Sequence, residues 1–196
     1  MRKFIAILMI FILCFGFAGC DKVNKKPSEI NLKSREFDLY DFAIYDTKTE
    51  HQIYLGMSKK EVDKLLEESI QDKSVKNKYS YSGFCVIYRD NKIVSMSLST
   101  KDLSTYDRFI TNRNVFLGIN KKDAVDMYGV DWESEKSGTY IILRKDKQFI
   151  LLENLQVNDY EKYDTSNIFF ISFLSDDKGN INYISISDYN YGMFFK

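Results

Sequence analysis

"YLGMSKKEV" occupies residues 54–62, and "FLGINKKDA", residues 116–124, repeats it sixty-two positions later. The two nonamers share Leu, Gly and a Lys-Lys pair, and most other positions exchange like for like. Each reads as the start of a helix. Ser58 is a favourable N-cap and Glu61 stands three residues on, the S-x-x-E spacing of a capping box. Met57 ahead of the cap and Val62 at the fourth helical position are placed for a hydrophobic staple. Val62, Leu65, Leu66 and then Ile70 follow at helical spacing and predict one apolar face. In the second copy Asn120 replaces the cap and Asp123 the box acid, an analogous arrangement with weaker chemistry. Ile119 and Ala124 take the staple positions, Met127 and Tyr128 continue the face, and Gly129 offers a C-terminal stop. Lys59-Lys60 and Lys121-Lys122 fall in the first turn, where the helix dipole disfavours cations. No glycine-rich phosphate loop surrounds either pair, so both read as solvated lysines.

The repeat extends beyond the phrase. "FCVIYRDNKIVSMSLS" (84–99) matches "FFISFLSDDKGNINYISIS" (169–187), and both read as β-hairpins. Alternation places Phe84, Val86, Tyr88, Met96 and Leu98, with their counterparts Phe169, Ile171, Phe173, Ile184 and Ile186, toward a core. Ser95, Ser97 and Ser99, like Tyr183, Ser185 and Ser187, face away. The stretches TYIILRKD and KQFILLENLQ (139–156) add strands to the second copy. The expected fold class is therefore α+β: two tandem related units, each a short helical segment packed on an antiparallel sheet. The first spans 37–110 and the second, with an extra hairpin, 111–196.

The N-terminus predicts a location. Arg2 and Lys3 precede an apolar run, Phe4 to Phe17. As a helix that run rises about 21 Å, short of a ~30 Å hydrocarbon core, so residues 1–19 read as a signal peptide rather than a membrane span. Phe17-Ala18-Gly19-Cys20 resembles the lipobox of bacterial lipoproteins, in which the cysteine is acylated and becomes the mature N-terminus. The resemblance implies lipidation at Cys20 and an extracytoplasmic, membrane-anchored chain. Residues 20–36 are polar, hold the single proline and predict a flexible tether. Without Arg2 and Lys3, 26 basic residues face 28 acidic ones and no basic stripe stands out, which argues against nucleic acid as a partner.

An LG-(M/I)-(S/N)-K-K-(E/D) helix start followed by an antiparallel sheet, on a chain with a lipobox, resembles the superfamily of SmpA/OmlA (BamE-like) lipoproteins and β-lactamase inhibitor proteins. That resemblance runs from Ile53 to about Ser187. It implies a non-catalytic module that binds proteins through an exposed sheet face and loops.

Catalytic and metal chemistry find little support. His51 is the single histidine, and Cys85 is the one cysteine outside the signal and the lipobox, so neither a triad, a disulfide framework nor a histidine zinc site is expected. No cofactor is implied. Asp176–Asn180 reads as a turn, because an EF-hand register would place Leu174 at a ligand position. Outward parity instead picks out Tyr81, Ser95, Ser97, Phe170, Tyr183 and Ser185 as a candidate protein-binding face. Two other expectations stand beside it: a structural lipoprotein of envelope assembly or stress, and a small-ligand binder or hydrolase with a pocket between the units.

Overall fold

The computed structural model describes residues 24–66, 69–102, 107–132, 134–153 and 157–192. The expected signal peptide (residues 1–19) and the expected lipidation site, Cys20, lie outside the described residues. The fold is α+β and dominated by strands, which form two antiparallel sheets. The smaller sheet has the order β2-β1-β7, from β1 (Ala43–Asp46), β2 (His51–Tyr54) and β7 (Phe109–Thr111). The larger comprises β3 (Ile70–Gln71), β4 (Lys78–Tyr81), β5 (Phe84–Arg89), β6 (Lys92–Ser99), β8 (Ser137–Lys145), β9 (Gln148–Leu151), β10 (Ile168–Ser175) and β11 (Ile181–Asp188). Its order is β3-β4-β5-β6-β11-β10-β8-β9, so β6 and β11 meet at the centre.

Both repeated phrases do start helices. In α1 (Lys59–Leu65) the Ser58–Glu61 capping box is complete. In α2 (Lys121–Tyr128) the Asn120 side chain accepts from the Lys122 N–H, and Gly129 ends the helix at φ 75°. Each start is clasped to the hairpin that follows it. The Gly56 N–H donates to the Ile93 carbonyl at 2.8 Å and the Ile93 N–H returns to Met57 at 2.9 Å. In the second phrase Gly118 donates to Ile181 at 2.7 Å and Ile181 to Ile119 at 2.8 Å. Gly56 and Gly118 adopt φ of 87° and 92°, which a side chain would strain. Ile70 departs from expectation. Helix α1 ends at Leu65, Leu66 turns extended and buries its side chain, and Ile70 is carried onto an edge strand where it is 75% exposed.

The ten residues assigned by alternation to the core are all buried there, in one cluster with the inner face of the smaller sheet. Ile44 and Ile53 reach that cluster from β1 and β2, and the Phe84 and Phe109 rings stack at 5.0 Å across the two layers. Phe42 meets Phe169 at 4.8 Å, tying the first part of the chain to the last hairpin.

The stretch expected to be a tether is fastened from Lys25 onward. Gln52 donates to the Lys25 carbonyl at 2.8 Å, Lys26 pairs with Glu50 at 2.6 Å and Pro27 is buried. Further along, Arg113 binds the carbonyls of Lys33 and Glu36. Backbone acceptors and the ion pairs Lys26–Glu50 and Arg35–Glu153 hold a polar segment that has no apolar periodicity to betray its docking.

Candidate functional site

Away from the main core, the outer face of the eight-stranded sheet carries a row of small side chains. Register aligns Ser80, Cys85, Ser97, Ser185, Ser172 and Thr139 on six successive strands, β4, β5, β6, β11, β10 and β8. At about 4.8 Å per strand the row is roughly 24 Å long. Ser80, Ser97, Ser185 and Ser172 are half-buried, Thr139 is exposed and Cys85 is buried. Thr139 and Ser172 share a hydroxyl–hydroxyl hydrogen bond of 3.1 Å. Hydroxyls rotate to donate or accept, so such a floor adapts to whatever lies on it.

Two walls border the floor. On one side Tyr183 and Leu174 stand in neighbouring register, Leu174 44% exposed. On the other, the short helix α3 (Tyr189–Gly192) crosses the sheet, with Gly192 close against Phe170 and Ser187. Burial pushes the Tyr191 hydroxyl up to about 12, with Tyr183 and Cys85 adding to the rise. On the α3 side of the row, in register with Ile87, Ser95 and Ser187, a hydrogen bond to Asp72 holds the Lys78 ammonium of β4 above its usual range. Burial likewise raises the Cys85 thiol, keeping it protonated at neutral pH.

The six residues expected on this face divide. Ser97, Tyr183 and Ser185 lie on it and reach solvent. Ser95 and Phe170 have the expected parity but are covered, at 3% and 4% exposure. Phe170 packs beneath Tyr160 and Tyr189, with ring centroids at 6.3 and 6.1 Å. Tyr81 is on the opposite face. Ser82 and Gly83, at φ 51° and 89°, form a two-residue turn that sets Tyr81 directly across from Phe84. Cross-strand partners share a face, so Tyr81 joins the core and donates to Asp63 of α1 at 2.7 Å. Counting parity through 81–87 as one strand hid that turn. The register of β6 against β11, which brings Ser97 to Ser185, pairs segments 88 residues apart and has no local sequence signal.

Other features sit elsewhere. His51 belongs to the smaller sheet, with Nδ1 2.6 Å from the Thr49 carbonyl oxygen, and so lies in a different sheet from Cys85. Between Phe42 and Leu55 of the first part and Phe149 and Phe169 of the second lies an apolar void of about 10 Å³, room for at most one water. An open groove of about 820 Å³ runs between residues 35–40 and the edge strand β9. Among the described residues no cluster of His, Cys, Asp or Glu is arranged to hold a metal ion, and no helix is long and apolar enough to cross a membrane. No known protein family, curated protein or solved structure matches the chain.

Proposed function

We propose that this chain is a membrane-anchored, extracytoplasmic lipoprotein that acts as a non-catalytic protein-binding or inhibitory module. The observation that carries the reading is the hydroxyl row with its aromatic walls. A floor of serines lets a partner's helix or strand approach the sheet closely, while Tyr183 and Leu174 offer apolar area at its margin. The length of the row suits a protein element better than a small molecule, and the thiol and imidazole nearest to catalytic chemistry are in separate sheets.

The module is read as two related units. In support, the two helix starts clasp their hairpins through matching atoms, and the two hairpins join as neighbours through β6 and β11. The resemblance of the helix starts and the Cys20 box to the SmpA/OmlA and β-lactamase inhibitor group points the same way, to a protein as the partner. A second reading, a small-ligand binder, draws on the groove beside β9 rather than on a pocket between the units.

Affinity capture with the anchored protein tests the proposal when wild type is compared with Ser97→Arg and Ser185→Arg. Each arginine fills the floor from a half-exposed position, so a partner's recovery should fall at least tenfold while the unfolding midpoint holds. Unchanged recovery with both variants would remove the row from the binding site. Loss on filling the groove with Ile150→Arg alone would favour the second reading.

A further inference from the structure

The row and the N-terminal segment lie on opposite sides of a stack of layers. Ile44 and Ile53 of the smaller sheet pair across β1 and β2 and enter the common core. Tyr45 and Gln52, the adjacent pair, therefore point the other way. It is Gln52 that grips the Lys25 carbonyl, and the Tyr45 hydroxyl sits in the field of Lys26 and Glu29. Residues 25–29 thus cover the outer side of the smaller sheet. The eight-stranded sheet packs on its inner side, and the hydroxyl row occupies the far face of that larger sheet.

Four residues, Asp21 to Asn24, separate Cys20 from Lys25. Backbone geometry limits the distance from Cys20 to Lys25 to about 18 Å, however those residues are arranged. A leash that short cannot let the domain turn over, since two sheets about 10 Å apart and the covering segment stand between its attachment point and the row. We propose that the acylated Cys20 holds residues 25–29 and the outer side of the smaller sheet against the lipid surface, so that the hydroxyl row faces away from the membrane. The inference rests on the lipid-anchor reading above. It makes the partner of the row a protein approaching from the side opposite the anchoring bilayer, and makes the lipid surface the neighbour of the N-terminal segment.

The test uses the full acylated chain, purified from membranes and reconstituted in phosphatidylethanolamine/phosphatidylglycerol vesicles that contain nitroxide-headgroup lipids. Single fluorophores are placed through Ser28→Cys and Thr139→Cys, both at exposed positions, with the unsubstituted protein and its buried Cys85 as background. Quenching at position 28 should exceed that at 139 several-fold. A Gly/Ser insertion of twelve residues after Val23 should erase most of the difference. Equal quenching, or stronger quenching at 139, in protein that floats with the vesicles would overturn the orientation alone. A difference that survives the insertion would overturn the leash as its cause. Protein that fails to float would sink the anchor reading and the orientation with it.

Discussion

The Arg113 guanidinium is a buried charge held by hydrogen bonds to four other residues. Its Nε and Nη2 reach the two Asp41 carboxylate oxygens at 2.6 and 3.0 Å, with both side chains essentially sealed from solvent. The same guanidinium donates to the carbonyls of Lys33, Glu36 and Met127 and lies over the rings of Phe37 and Tyr128. A planar fork with five donors meets this set of acceptors, and an ammonium cannot. Replacing Arg113 by Ala leaves Asp41 buried and unpaired, a loss of about 3–5 kcal/mol in urea unfolding. Arg113→Lys should recover less than half of that, and Arg113→Met with Asp41→Leu should recover most of it. If Arg113→Ala unfolds at the wild-type midpoint, the pair contributes nothing. The sequence conceals this residue: "TNRNV" reads as a polar turn, and Asp41 lies 72 positions away.

At the scale of single elements, the two helix starts differ in chemistry and should differ in pH response. Ser58→Ala and Asn120→Ala each remove a cap, at about 1 kcal/mol. The Glu61 carboxylate accepts from both the Ser58 hydroxyl and its N–H, and these bonds hold it below the usual glutamate range. A carboxyl lowered by folding contributes its full stabilisation above the unfolded-state value and loses it as pH falls through the folded one. The difference in midpoint between wild type and Glu61→Gln should therefore be present at pH 7 and shrink as pH falls below the usual glutamate range. A difference that is constant with pH would take the box out of acid stability. Such caps are legible because all their parts lie within four residues. The hairpins are legible too, since alternation and turn residues are local. Parity fails where a two-residue turn intervenes: Ser82-Gly83 is a turn dipeptide, and counting on through it puts Tyr81 on the wrong face. The smaller sheet was not legible: β7 pairs with β1, more than sixty residues earlier, and three residues carry too little pattern to announce it.

At the scale of the molecule, the resemblance between the two halves does not make them independent. One core cluster draws on both, β6 and β11 pair at the centre of the sheet, and β7 completes a sheet begun by β1 and β2. Separating the halves would expose the inner edges of β6 and β11 and the shared apolar face together, so the halves should unfold as one. Trp132, the only tryptophan, is stacked on Phe173 at 6.0 Å and reports on the second half. Ile53→Val, a one-methylene change in a fully buried residue of β2, costs about 0.5–1.5 kcal/mol. Trp132 fluorescence should register that whole loss, with its urea midpoint moving together with the far-ultraviolet circular dichroism. A tryptophan transition that stays at the wild-type midpoint while the dichroism shifts would mean two separately folding units. The proposed partner face would then be split along the β6–β11 boundary, because the hydroxyl row depends on that one strand pairing to bring Ser97 beside Ser185.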